Sequence, residues 1–168
     1  QSSDALNKKI SEVMSPLFPT VDLKDDVSKI SALINKDNSA VIVKDGKIIA
    51  RGANGVTSTN DPTAHAEVVA IRNACAILGT FQLDGCEIYT SCEPCPMCLG
   101  AIYWARPDKM YFANTKKDAA DIQFDDQFIY EELEVPYQQR KLNTEQMMRE
   151  EALEAFRIWS ESINKIEY

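Results

Sequence analysis

A histidine and a cysteine pair thirty residues apart place the strongest constraint on how this chain folds. His65 is followed two residues later by Glu67, and Pro94 precedes the pair Cys95 and Cys98. An imidazole and two thiolates are typical zinc ligands, and three protein ligands leave the fourth tetrahedral position open, as in catalytic sites. The fold must therefore bring two distant segments together around one ion, with Glu67 close to its open position.

Cys92 lies three residues before Cys95 and leaves two other interpretations of the cysteine cluster open. It could complete a closed structural zinc site as a fourth ligand. The run C-x₂-C-x₂-C also occurs in bacterial iron–sulfur proteins, but there a fourth cysteine followed by proline comes a few residues on. Residues 99–102 here read Leu-Gly-Ala-Ile. Cys75 and Cys86 are expected to be small buried residues of the core.

The ligand set explains why a carboxylate beside the ion is needed. Zn²⁺ with two thiolates and a neutral imidazole is formally neutral, so it should acidify water less than an all-histidine site, where the water pKa is about 7. We therefore expect Glu67 to take the water proton as a base. Both halves of the motif are predicted to lie at helix N-termini, whose exposed N–H groups favour thiolate over thiol at Cys95 and Cys98.

Helix and strand patterns alternate along the chain and predict an α/β fold, a sheet with helices on its faces. The expected helices cover residues 6–14, 25–34, 64–78, 96–105 and 144–163, and the expected strands cover residues 40–43, 48–50, 86–90 and 109–113. Asp45-Gly46 between the first two strands suits a type I′ turn and predicts a hairpin. Helical turns are expected within residues 118–134, and a loop over residues 52–62.

Length, charge and cysteine content exclude several classes of protein. A chain of 168 residues fits one domain, and no apolar run approaches the roughly 20 residues that cross a bilayer, so no membrane partner is expected. The net charge of −8 works against a polyanionic substrate and favours a small uncharged one over nucleic acid. Five cysteines, three of them clustered, indicate metal binding in a reducing compartment, and we expect the cytoplasm.

The motif and its surroundings resemble a known family. H-x-E combined with P-C-x-x-C is the signature of zinc-dependent base deaminases. Residues 61–67 (Asp-Pro-Thr-Ala-His-Ala-Glu) and 89–106 (Tyr-Thr-Ser-Cys-Glu-Pro-Cys-Pro-Met-Cys-Leu-Gly-Ala-Ile-Tyr-Trp-Ala-Arg) are similar to those of the bacterial guanine deaminase family, within the cytidine deaminase-like superfamily. Residues 124–130 (Phe-Asp-Asp-Gln-Phe-Ile-Tyr) and the terminal Glu167-Tyr168 extend the resemblance beyond the core shared with cytosine and tRNA-adenosine deaminases.

This resemblance implies a single zinc-dependent deaminase domain over residues 1–168, built as a three-layer α/β/α sandwich with a mixed central sheet. Residues 1–21 are a possible extension, and residues 144–168 would form a C-terminal helix and tail that close the site. One Zn²⁺ per chain is implied, held by His65, Cys95 and Cys98. The implied partners are a small-molecule purine base and a second copy of the chain, in a homodimer that can exchange C-terminal segments.

The implied reaction is the hydrolysis of guanine to xanthine and ammonia. Glu67 would take the water proton and then return protons, one to the ring nitrogen and one to the departing ammonia. Asp126 corresponds to the family's second acidic residue, which contacts the exocyclic amine and assists proton transfer. A helix-capping or solvated aspartate is the alternative for Asp126.

Four residues would bind the base in this family: Asn54, Ala66, Trp104 and Tyr168. Asn54 corresponds to an asparagine whose amide both donates to and accepts from the base, although it could instead serve the Asn54-Gly55 turn. Trp104 would form part of the pocket wall, with ordinary core packing as the alternative. The C-terminal Tyr168 would close the pocket.

The sequence departs from the family pattern at two places near the site. Residues 36–39 (Lys-Asp-Asn-Ser) replace a turn like Gly-Gly-Pro-Phe-Gly, and Gln123 replaces a common glycine. Another small base or nucleoside, such as guanosine or cytosine, is therefore an alternative substrate. A non-catalytic, zinc-stabilised interaction protein is a further alternative, but such a protein would need none of Glu67, Asn54 and Asp126.

Overall fold

The computed structural model describes residues 39–124 and 126–167. The helices expected over residues 6–14 and 25–34, the possible extension 1–21, the altered turn up to residue 38 and Tyr168 lie outside these residues. The described strands are β1 (Ala40–Lys44), β2 (Lys47–Gly52), β3 (Cys86–Cys92) and β4 (Lys109–Asn114). The described helices are α1 (Val56–Thr59), α2 (Ala66–Leu78), α3 (Pro96–Ala105), α4 (Lys116–Asp121), α5 (Gln127–Glu134) and α6 (Arg149–Glu161), and Tyr137–Gln139 forms a 3₁₀ turn.

The four strands form one mixed sheet in the order β2-β1-β3-β4. β1 pairs antiparallel with β2 and β3, whereas β3 and β4 are parallel. The predicted hairpin joins β1 to β2, and Asp45 and Gly46 have φ values of 49° and 70°. Two consecutive residues with positive φ are what a type I′ turn requires, so this prediction is confirmed.

Both faces of the sheet are apolar. On one face, small residues of α2 (Ala66, Ala70 and Ala74) pack with Ile42 of β1 and Ile88 of β3 in the main core cluster. On the other face, Val41 and Val43 are buried with Tyr89, whose ring stacks on Tyr111 at a centroid distance of 4.5 Å. A sheet that is apolar on both faces is the central layer of a sandwich, as the sequence predicted.

Gly52 at the end of β2 allows α2 to lie unusually close to the sheet. A Cβ atom built at this position would lie 1.9 Å from the carbonyl oxygen of Ala66 and 2.6 Å from the backbone nitrogen of Ala70. Any larger residue would therefore overlap with the backbone of α2, and glycine sets the distance between strand and helix.

Two helices differ from the sequence prediction. The short helix α1 lies within the expected loop, because local polar contacts form it: Asn54 Oδ1 accepts from the N–H of Val56, and hydroxyls of the helix donate to the carbonyl of Gly55. Helix α6 begins at Arg149 rather than at residue 144, since Met148 has a φ of 52°, a left-handed conformation that interrupts a right-handed helix. Within the described part of the chain, no helix is long and apolar enough to span a membrane.

Candidate active site

The predicted metal ligands lie at the starts of two helices. His65 is the N-cap of α2, and Cys95 is the N-cap of α3, with Pro96 at the first helical position as expected. Cys98 follows in the first turn of α3 and is buried. The two segments meet because α2 and α3 pack on the same face of the sheet, where Ala66 and Ile102 share one core cluster.

The three side chains fit a zinc ion. Their ligand atoms all lie within 4.8 Å of one another, and His65 Nδ1 is 3.6 Å from Cys95 Sγ. Zinc bond lengths of about 2.0 to 2.3 Å in a tetrahedron place neighbouring ligand atoms about 3.5 to 3.8 Å apart. One nitrogen and two sulfurs are the donor set of a catalytic zinc site. The fold therefore brings the three predicted metal ligands together.

The charge state of the cysteines suits metal binding. A hydrogen bond from the Cys98 thiol lowers the pKa of Cys95 from its ordinary value of 9.0 to about 6. The pKa of Cys98 is raised, because it shares that proton with Cys95 and is buried. Without metal, the pair therefore holds one thiolate and one thiol near neutral pH. A divalent cation would need to displace only the proton of Cys98.

Cys92 lies outside this ligand cluster. Its Sγ is 3.7 Å from the carbonyl oxygen of Thr115, and burial raises the pKa of its thiol. The closed structural zinc site and the iron–sulfur cluster both require Cys92 as a ligand, so the geometry favours the open three-ligand site. Of the two cysteines expected in the core, Cys86 is buried and Cys75 is half-buried.

Glu67 lies beside the ligand cluster, and each of its two oxygens has a different neighbour. Oε2 is 3.3 Å from Cys98 Sγ, on the side of the metal ligands. Oε1 accepts a hydrogen bond of 2.7 Å from the hydroxyl of Thr90 on β3. Sequence reasoning did not identify Thr90, since no local pattern connects a strand residue with a carboxylate 23 positions earlier.

A cavity of about 780 Å³ opens over the ligands. His65, Cys95 and Glu67 line it together with three of the predicted site residues, Asn54, Ala66 and Asp126. Trp104 is not among the lining residues. Trp104 is 64% exposed, because the buried residues of α3 are Cys98, Ile102 and Ala105, on another side of the helix. In the single chain, Trp104 therefore lies outside the lining of this cavity, and its role in base binding stays a prediction.

Asn54 and Asp126 present complementary groups to the cavity. Oδ1 of Asn54 accepts from the N–H of Val56, and this turn contact fixes the orientation of the amide. Nδ2 is then the atom that can donate a hydrogen bond to a ligand. Asp126 is the N-cap of α5, but its side chain makes no capping hydrogen bond. Its carboxylate, an acceptor when ionised, is therefore available to a ligand in the cavity.

The open metal site, the adjacent carboxylate and the sandwich fold define a zinc-dependent hydrolase of the deaminase class. Residues 27–114 match the family model for the cytidine and deoxycytidylate deaminase zinc-binding region, and the chain belongs to this family. The sequence prediction of a zinc enzyme with the cytidine deaminase-like fold is thereby confirmed.

Within the family, the chain is more similar to some proteins than to others. It is 55% identical over 139 residues to a guanine deaminase of Bacillus subtilis (strain 168), across 83% of this chain and 89% of that protein. A crystal structure of guanine deaminase from Bacillus subtilis has a TM-score of 0.76 at 54% identity, covering 84% of this chain and 90% of that one. A tRNA-specific adenosine deaminase of Aquifex aeolicus is 47% identical, but over only 46% of this chain and 52% of that protein.

Proposed function

We propose that this chain hydrolyses guanine to xanthine and ammonia with one zinc ion held by His65, Cys95 and Cys98. The observation that carries the proposal is the position of Glu67 beside a three-ligand cluster, in a cavity that Asn54 and Asp126 also line. Similarity to a guanine deaminase along most of both chains supports the choice of base. The reaction would take place in purine metabolism in the cytoplasm.

The side chains divide the chemistry among them. Bound zinc would supply a Lewis acid for the hydrolytic water. Glu67 would take one proton from that water on Oε2 and deliver it to the ring nitrogen, and it would then carry the second water proton to the leaving amine. One carbon–oxygen bond forms and one carbon–nitrogen bond breaks, so guanine and water give xanthine and ammonia.

The polar groups of the cavity match the edges of guanine. Nδ2 of Asn54 would donate to a ring acceptor or to the carbonyl oxygen of the base, and Asp126 would accept from the exocyclic amine and assist its protonation. Ala66 is buried and small, which leaves room for the ring beside the metal ligands. Tyr168 at the C-terminus would close the cavity over the base.

A nucleoside is the second candidate substrate, because the cavity is large enough to admit one. Its volume of about 780 Å³ lies well within the range of about 300 to 1,000 Å³ typical of ligand sites and leaves space for a sugar. Ammonia release should therefore be measured from guanine, guanosine, cytosine and adenine with zinc-loaded protein. We expect guanine to be preferred. Equal rates with guanosine would favour the nucleoside, and zinc binding without ammonia release from any of the four would support a non-catalytic protein.

We further propose a homodimer in which α6 packs against the partner subunit. Every residue of α6 is exposed, including Phe156 at 74% and Trp159 at 46%. An amphipathic helix with an uncovered aromatic face is expected to be buried against another surface. Light scattering should give twice the chain mass, and Phe156→Glu should produce monomers that retain zinc. A monomeric unsubstituted protein would contradict the dimer without affecting the proposed reaction.

A further inference from the structure

Thr90 is unusual among the polar residues of the sheet. It is 1% exposed and is the one buried polar side chain in the described part of the chain. Burial of a hydroxyl is unfavourable unless it makes a hydrogen bond, and Thr90 makes its short 2.7 Å bond to Oε1 of Glu67. A residue of similar shape without the hydroxyl, such as valine, would fill the same space on a buried strand. The hydroxyl therefore points to a task beyond packing.

We propose that Thr90 is a positioning residue that determines which oxygen of Glu67 exchanges the catalytic proton. Thr90 donates to Oε1, while Oε2 accepts from the thiol of the metal ligand Cys98 at 3.3 Å and so faces the metal ligands. Without the bond from Thr90, the carboxylate could rotate about its terminal torsion, which is soft in glutamate. This inference rests on the proposed role of Glu67 as the proton carrier.

The position of Thr90 makes the hydroxyl a rigid donor. β3 lies between two neighbours, and Thr90 is in register with Ala40 of β1 and Phe112 of β4. Its backbone is therefore held from both sides, and a β-branched side chain has few χ1 conformations. The direction of the hydroxyl oxygen toward α2 is consequently set by the sheet.

The same hydroxyl has a second acceptor, and the test must separate the two contacts. Oγ1 also lies 3.1 Å from the carbonyl oxygen of Cys92. A hydroxyl carries one proton, and a bond to an ionised carboxylate is the stronger of the two. Removing the hydroxyl would nevertheless remove both contacts. A loss of activity in one variant alone would therefore not distinguish positioning of Glu67 from support of the Cys92 backbone.

A double-mutant cycle makes that distinction. Thr90→Val removes the hydroxyl at nearly constant volume, and it should be combined with Glu67→Gln, which cannot carry the proton. In the Glu67 background we expect Thr90→Val to lower kcat for guanine about 10-fold or more, with KM and zinc content unchanged. Thr90→Ser, which keeps the hydroxyl, should restore kcat to within about threefold. In the Glu67→Gln background Thr90→Val should change kcat by less than about twofold.

Each alternative result has a distinct meaning. An equal loss from Thr90→Val in both backgrounds would show that Thr90 supports the fold independently of Glu67, and the inference would be wrong. Full activity of Glu67→Gln would instead overturn the proposed function, and with it the reason for positioning. If Thr90→Val does not give folded, zinc-loaded protein, Thr90→Ser and Thr90→Ala form a pair that differs only in the hydroxyl. Equal kcat values for this pair would also overturn the inference.

Discussion

The close approach of α2 to β2 at Gly52 should control the geometry of the metal site, and Gly52→Ala tests this directly. The added Cβ would lie 1.9 Å from the carbonyl oxygen of Ala66, whereas ordinary contacts are 3.4 Å or longer. The first turn of α2 would have to move by about 1.5 Å, since a backbone atom in a hydrogen-bonded helix cannot turn aside as a flexible side chain does. That turn carries Glu67 and directly follows His65.

The expected loss follows from this displacement. A misplacement of about 1 Å in a catalytic arrangement can cost about 10²-fold in rate, so kcat/KM for guanine should fall at least about 100-fold. Overpacking of a close helix–strand contact should also lower the free energy of unfolding by about 1 to 3 kcal/mol. Since His65 moves while Cys95 and Cys98 stay on α3, we expect weaker zinc binding too.

Gly100→Ala provides a matched control for this experiment. Gly100 lies on α3 near the ligands, but a Cβ there would meet no atom within 4 Å. Alanine in place of a helical glycine should raise the free energy of unfolding by about 0.5 to 1 kcal/mol and leave activity unchanged. Steady-state kinetics, metal analysis and thermal unfolding of both variants are the measurements. The reasoning would be refuted if Gly52→Ala bound zinc normally and kept kcat/KM within about threefold of the unsubstituted protein.

Four further predictions concern the site and its borders. Glu67→Gln should keep zinc and lower kcat at least about 10²-fold, because the proton carrier is lost; steady-state turnover near normal would exclude that role. Asn54→Asp keeps the turn acceptor but loses the donor, so kcat/KM for guanine should fall about 10- to 100-fold, and an unchanged value would contradict base recognition by Nδ2. Adding zinc to metal-free protein at pH 8 should release about one proton, from Cys98. More protons should be released as the pH falls through about 6, where Cys95 becomes protonated. Isothermal titration calorimetry in buffers of different ionisation enthalpy measures the number, and release of two protons at pH 8 would contradict this prediction. Gln123→Gly should raise the free energy of unfolding by about 1 kcal/mol, because Gln123 has a φ of 67°, and denaturant unfolding that shows a loss would contradict this.

Local sequence patterns predicted the parts of this molecule that depend on near neighbours. The Asp45-Gly46 turn requires positive φ at consecutive residues, and this requirement alone places the hairpin. The helix expected over residues 96–105 begins at Pro96, and the helix expected to end at residue 78 does so, with Gly79 as its C-cap. The metal ligands could be predicted because zinc accepts few residue types and because their spacing places them at helix starts.

The remaining features depend on contacts between distant segments, which leave no local pattern. Thr90 meets Glu67 only because β3 runs beside the start of α2, and Gly52 is required only because the same helix crosses the end of β2. Trp104 shows the opposite case, since the family resemblance implies a place for it in the pocket wall. In the structure, Trp104 lies on the exposed side of α3, because Cys98, Ile102 and Ala105 form the buried side of the helix.

The charge of the whole chain and the lining of the cavity lead to the same restriction on the substrate. Glu67, Glu93, Asp118 and Asp126 place four carboxylates around the cavity. Lys116 is the one lysine or arginine among its described lining residues, and its Nζ lies 4.7 Å from the centre of the Tyr130 ring, in a cation–π contact. A phosphate in this cavity would therefore meet several negative charges and one cation that already has a partner. Repulsion of this kind would disfavour nucleotides and polynucleotides but not a neutral base, because a base interacts through hydrogen bonds rather than net charge.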